Sequence, residues 1–241
     1  MLGKTISLNR LFKRPKALIM ALDYGLFSGV PQNFVNMNAV LNKVDVNILD
    51  GLVISPGQLK NIPAAFHQTN LIVRVDGCTV FGDFKFTEMI TSVERAAQMG
   101  ADAILAFAII NDKDANYDFI KRLRALIEAS EKVGLPLIAE YLPTGKEVKQ
   151  RDALRIIAEI GADVIKTSIP QSAEEMKDLL QVSNLPILLA GGSKTKDEEM
   201  FTVVETMMNA GANGIVFGRN AWSRDDINSY LQRLSGIILK G

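Results

Sequence analysis

Ile160-Gly161-Ala162-Asp163-Val164-Ile165-Lys166-Thr167-Ser168 is the stretch on which the architecture turns. Its Gly ends a helix, a short turn follows, and Val164-Ile165 opens a buried strand. The figure occurs earlier as Met99-Gly100-Ala101-Asp102-Ala103-Ile104 and later as Ala210-Gly211-Ala212-Asn213-Gly214-Ile215. Gly134-Leu135-Pro136 and Asn184-Leu185-Pro186 do the same job with Pro at the strand start. A repeated helix–turn–strand unit predicts a parallel sheet wound with helices.

Working outward, short apolar runs stand at Ala17–Leu22, Gly51–Ile54, Leu71–Val75, Ala103–Ile110, Leu137–Ala139, Val164–Ile165, Ile187–Ala190 and Ile215–Phe217. They are continuous rather than alternating, as in strands buried on both faces. Apolar residues at helical spacing fill Phe86–Met99, Tyr117–Val133, Leu154–Ile160, Glu174–Leu180 and Glu198–Met208. No Ser- or Pro-rich linker divides the 241 residues. Eight strand signals with helical segments between them predict a single-domain α/β chain, a (β/α)8 TIM barrel spanning 1–241; such barrels run to about 250 residues. Leu8–Phe12 reads as a short helix, with residues 1–16 capping the barrel floor. An open doubly wound sheet is the alternative, but the chain lacks a Gly-rich dinucleotide fingerprint.

Composition narrows the function. Lys+Arg and Asp+Glu are both 27, so the net charge is zero and the chain has no bulk field for nucleic acid or an anionic membrane. One Cys (Cys78) permits no internal disulfide, and one His (His67) with one Cys makes a His/Cys zinc site untenable. A carboxylate-bound Mg²⁺ is not excluded by counting. The longest apolar runs fall far short of the roughly 20 residues of a membrane helix. The basic, polar start does not read as a signal peptide, so the expectation is a cytoplasmic protein.

In a barrel of this kind chemistry sits at the C-terminal strand ends. Lys166 continues a buried strand and is expected to point into the mouth, where burial frees an amine for attack on carbonyls. A structural pairing with Asp163 or Asp23 is the alternative. Gly191-Gly192-Ser193 and Gly218-Arg219-Asn220 close the last two strands. Bare backbone amides and a guanidinium there suit a phosphate, although the glycines alone would also serve tight turns. Asp23 reads as a carboxylate orienting Lys166 or a substrate hydroxyl, or as a turn residue. Glu140 interrupts an apolar strand. It is either an acid/base or a structural ion pair with Lys166. If Glu140 faces inward, Tyr141 faces the helices, unless the strand bends first. Lys194 and Lys196 read as a solvated cluster.

With these residues in order, the chain resembles the archaeal-type class I fructose-bisphosphate aldolases and the wider deoxyribose-phosphate aldolase-like superfamily. That group includes 2-amino-3,7-dideoxyheptulosonate synthase and the autoinducer-2 thiolase. The resemblance runs from about Ala17 to Ser223 and rests on Asp163–Thr167, Ala190–Ser193 and Gly214–Asn220. It implies a Schiff base on Lys166, phosphate binding by Gly191, Gly192, Ser193, Gly218 and Arg219, and a first-strand role for Asp23. Tyr24 stands where many members carry His, and Asp76-Gly77-Cys78-Thr79 is similar to the Asn-Gly-Lys-Thr of some members. The aldolases' Tyr-Pro-Arg-Gly is not kept: aligning Pro143 and Gly145 puts Leu142 at the Tyr position and Thr144 at the Arg position. Proton transfer then falls to Glu140, with Tyr141 as the alternative.

The resemblance implies a cofactor-free, metal-independent aldolase of a phosphorylated ketose such as fructose 1,6-bisphosphate. It further implies a homo-oligomer, with a ring-based decamer as one candidate. A transaldolase-like synthase or an acyl-transferring thiolase would use the same Lys and phosphate site. A non-catalytic sugar-phosphate-binding barrel is the reading from another class.

Overall fold

The computed structural model describes residues 2–30, 36–79, 87–110, 116–143 and 148–240. Eight strands form a closed, all-parallel barrel. They are β1 (Ala17–Ala21), β2 (Gly51–Ile54), β3 (Asn70–Arg74), β4 (Ala103–Phe107), β5 (Leu137–Tyr141), β6 (Val164–Ser168), β7 (Ile187–Ala190) and β8 (Gly214–Phe217). The helices used below are α1 (Leu2–Leu11), α2 (Val93–Gln98), α3 (Asn116–Val133), α4 (Gln150–Ile160), α5 (Ala173–Ser183), α6 (Asp197–Asn209) and α7 (Ile227–Ile238). Among the described residues no helix is long and apolar enough to cross a membrane.

Strand parity separates two apolar layers. Ile19, Val53, Ile72, Leu105, Ile138, Val164, Leu188 and Val216 fill the barrel. Their neighbours Leu18, Leu52, Val73, Ile104, Leu137, Ile165, Leu189 and Phe217 pack outward under the helices. Continuous hydrophobic strands are what this double burial demands. It also dictates that the next inward positions, Arg74, Phe107, Glu140, Lys166, Ala190 and Gly218, ring the C-terminal mouth.

The repeated Gly-x-Asp/Asn figure has a physical role at the opposite end. The carboxylates of Asp102 and Asp163, and of Asp50 in the corresponding turn before β2, accept N–H groups at the start of β3, β5 and β1, at Leu71 (3.0 Å), Leu137 (2.8 Å) and Leu18 (2.9 Å). The Asn213 amide oxygen does the same for Ile187 at the start of β7, at 2.9 Å. Each clasp thus joins an odd strand to the turn before the next one. The N-terminal segment reaches the three acidic clasps: Lys4 meets Asp163 at 2.7 Å, Arg10 meets Asp102 at 3.4 Å, and Arg14 meets Asp50. Leu11, with Leu8 and Phe12, packs against the inner apolar layer. The helix begins at Leu2, six residues before the expected Leu8.

Two expectations change. The helix expected over Phe86–Met99 is only α2, which starts after Ser92, whose Oγ accepts from the Arg95 N–H at 3.0 Å. The residues before it are held elsewhere. Glu88–Met89 pairs antiparallel with Asp76–Gly77, and the Ile90 and Thr91 N–H groups both donate to the Val75 carbonyl. Phe86 itself lies outside the described residues. A long helix does not follow every strand either: β2 leads only to Pro56–Leu59 and a 3₁₀ turn at Ala64–Gln68.

Candidate active site

Glu140 and Lys166 are direct register partners on adjacent parallel strands. Both point inward, so their heads meet: Lys166 Nζ lies 2.5 Å from Glu140 Oε1. On the other carboxylate oxygen, Glu140 Oε2, sits Arg74 Nη2. Arg74 also donates through Nε to Asp23 Oδ2 at 2.8 Å and through Nη1 to Asp76 Oδ1 at 3.4 Å. Asp76 in turn accepts from Arg122 (2.5 Å), the Thr87 hydroxyl (3.0 Å) and the Phe107 N–H (3.0 Å).

Three cations therefore face three carboxylates in one buried chain, Arg122–Asp76–Arg74–Glu140–Lys166, with Asp23 on Arg74. Burying ions is costly unless each finds a partner, and here every one does. Phe27 and Phe107 cover the Arg74 guanidinium, their ring centres 5.1 and 4.3 Å from its carbon. Burial alone would push the Glu140 carboxyl up. Arg74 first and Lys166 second overcome that and hold it at about 2. Burial opposes the Arg74 charge too, but Glu140, Asp23 and Asp76 more than restore it.

The cavity above this pair holds about 200 Å³. Gly191, Gly192, Gly218 and Arg219 form its rim together with Phe27 and Leu142. A Cβ on Gly191 would lie 2.4 Å from the Phe217 ring, so only Gly fits there. Gly192 has φ of +63°, with no atom within 4 Å of a would-be Cβ, and it leaves the rim open. Arg219 lies over the Tyr24 ring at 5.0 Å.

Residues 17–224 match the profile of the DeoC/LacD family aldolases. The chain belongs to that family. It is 30% identical to an uncharacterized aldolase of Saccharolobus solfataricus over 99% of its own length and 95% of the relative. It is 28% identical to the 2-amino-3,7-dideoxy-D-threo-hept-6-ulosonate synthase of Halobacterium salinarum, covering 98% of this chain and 91% of that one. An archaeal fructose-1,6-bisphosphate aldolase, solved with its catalytic Lys covalently bound to the carbinolamine intermediate, superposes with a TM-score of 0.87 at 26% identity, covering 98% and 99% of the two chains. The fold is thus of the class I aldolase type, with Schiff-base enzymes among its structural neighbours.

In this DeoC/LacD aldolase Tyr141 stands away from the cavity, and Asp23 lines it but takes another partner. Tyr141 has outward parity, and its hydroxyl donates to the Val148 carbonyl at 3.2 Å under the helices. The strand does not bend before it, so no phenol from this position reaches Lys166. Leu142 lines the mouth in its place, and Thr144 and Gly145 lie outside the described residues. Asp23 does not pair with Lys166; Arg74 and Glu140 stand between them in the ion chain. Asp163, the other partner considered for Lys166, is at the floor with Lys4. The Gly191 N–H donates to the Val216 carbonyl at 3.3 Å, which leaves a ligand the amides further along the loop. Ser193 is exposed just outside the cavity wall.

Two residues of the site went unread in the sequence. Arg74 sits inside the apolar run Leu71–Val75 and was assigned no role. Asn220 is wholly buried: its Nδ2 donates to the Gly191 (2.6 Å) and Ser193 (2.8 Å) carbonyls, and its Oδ1 accepts from the Thr195 N–H at 3.2 Å. It therefore staples the loop after β7 to the segment after β8. Asn220→Asp replaces the two-donor group with a carboxylate facing two carbonyls. We expect KM for a phosphorylated substrate to rise about tenfold with kcat changed much less, as steady-state kinetics would show; equal losses in both would refute a rim-holding role.

Proposed function

We propose that the protein is a Schiff-base aldolase of a phosphorylated ketose, with fructose 1,6-bisphosphate as the first candidate. The supporting observation is the Lys166–Glu140 pair at the base of a cavity rimmed by Gly191, Gly192, Gly218 and Arg219. In this reading the neutral amine of Lys166 adds to the ketone carbonyl, and the carbinolamine loses water to form an iminium. The substrate hydroxyl proton passes to Glu140. The electrons of the breaking C–C bond flow onto the iminium nitrogen, and the aldehyde leaves. The enamine is then protonated on carbon and hydrolysed, which returns Lys166.

The electrostatics suit that step. While the nitrogen is cationic, both it and Arg74 hold Glu140 ionised and ready to accept. As the electron pair neutralises the nitrogen, one of those charges disappears. The carboxylate becomes more basic as the proton arrives. The phosphate is assigned to Gly192, Ser193, Gly218 and Arg219, with Gly191 shaping the turn, so that binding far from the carbonyl orients it. Asp23 acts through Arg74.

A second reading is favoured by the turned-away Tyr141: a transaldolase-like synthase, and the Halobacterium salinarum relative is named a synthase. Both readings require the imine. Borohydride added with dihydroxyacetone phosphate or fructose 1,6-bisphosphate should fix one reduced adduct on Lys166, found by mass spectrometry of the digested protein. No adduct on Lys166 with either compound would sink the proposal. Release of free triose phosphates from fructose 1,6-bisphosphate then separates aldolase from synthase, which needs a second carbonyl acceptor.

A further inference from the structure

Arg74 is 1% exposed and lies at the centre of the ion chain, but no contact joins it to Lys166. It grips Glu140 by the oxygen that Lys166 does not use. Its Nε and Nη1 are held by Asp23 and Asp76, and the edge-to-face Phe27 and Phe107 rings lie against it. The guanidinium is therefore fixed in position and orientation, as a flexible ammonium would not be. We infer that Arg74 is a positioning residue of the carbonyl chemistry, holding Glu140 Oε2 so that Oε1 alone is presented to Lys166 and to the substrate hydroxyl. The inference rests on the Schiff-base reading above.

The groups around Glu140 make its effect on pH dependence legible. Lys166 faces it from β6 and Arg74 from β3. Asp23 and Asp76 reach it only through Arg74, and Arg122 of α3 stands behind Asp76. Arg219 lines the same cavity without an ion pair to Glu140, while β4 and β7 contribute uncharged Phe107 and Ala190. Glu140 accepts a proton only when ionised. Removing the Arg74 charge takes away the first of the two influences that lower its pKa, so the carboxyl rises and the rate fails earlier as pH falls.

The test measures kcat for release of triose phosphates from fructose 1,6-bisphosphate between pH 4 and pH 9, with borohydride trapping on Lys166 alongside, for the wild type, Arg74→Met and Arg74→Lys. Expressing each variant as a ratio to the wild type cancels the dependence common to all three. For Arg74→Met the ratio should fall by about tenfold toward the acid end, the effect of losing one neighbouring charge. Arg74→Lys keeps a charge without the planar fork. Its ratio should be flat with pH but reduced, by up to about a hundredfold. A role confined to folding would lower the melting temperature and leave both ratios near one in protein shown to be folded. That result overturns the inference, and Arg74→Lys alone decides it if Arg74→Met does not fold. Absence of any adduct in the wild type overturns the Schiff-base reading; an adduct with unmoved variants overturns only the role of Arg74.

Discussion

Lys166→Met is expected to lower kcat/KM for C–C cleavage by about 10⁴-fold or more, the scale on which loss of a covalent nucleophile is felt. Met matches the stem of Lys and removes only the amine, so the apolar packing in the barrel is kept. Glu140 retains Arg74 as a partner and is not left as a bare buried charge. The carboxyl rises from about 2, because the second of its two cations is gone. The variant should therefore fold, and inorganic phosphate is expected to raise its melting temperature and that of the wild type alike, since the Gly192 and Arg219 rim does not include Lys166. Two measurements settle it: turnover of the phosphorylated ketose, and the phosphate-dependent shift in melting temperature. Residual turnover within tenfold of the wild type would remove Lys166 from the chemistry. Full loss with retained phosphate stabilisation would also set aside the non-catalytic binding barrel.

The barrel was legible because its strands are buried on both faces. Such strands have no polar face to interrupt the apolar run, so eight continuous runs could be read directly, and the parity of Lys166 after Val164-Ile165 followed. Register is a different matter. That Glu140 and Lys166 are partners across β5 and β6 depends on how the two strands slide past one another, and neither strand carries that information alone. Parity did foresee that Tyr141 and Glu140 could not both face inward. Arg74 was hidden because its importance lies in three acids from separate segments converging on one guanidinium. Asn220 was hidden because it holds backbone carbonyls, which have no sequence signature. The over-long helix at Phe86–Met99 came from the helical spacing of Met89 and Ile90. Those side chains are in fact 43% and 37% exposed, so the pattern there marks a surface and not a core-facing stripe.

Glu140→Gln separates a proton-transfer group from a structural ion pair. Gln keeps the shape and can still hydrogen-bond, but it cannot take a proton at any working pH. If Glu140 is the base, kcat falls by about 10²–10⁴-fold, the usual contribution of a positioned general base. The folded state also suffers. Arg74 and Lys166 lose the anion they share, and removing one side of a buried pair costs about 3–5 kcal/mol. Sign follows from the lowered pKa: the stability that Glu140 supplies is fully present above its unfolded value of 4.5 and is lost as pH falls from there toward about 2. The wild type should therefore lose stability across that window more steeply than Glu140→Gln. The two effects are distinguished by assaying well below the variant's melting temperature, where it is folded. There a purely structural pair predicts nearly normal turnover, and a base predicts the full loss. Glu140→Asp sharpens the distinction: it restores the charge to Arg74 and much of the acid-dependent stability. Being one methylene shorter, it withdraws the carboxylate from Lys166, so stability should recover further than kcat does.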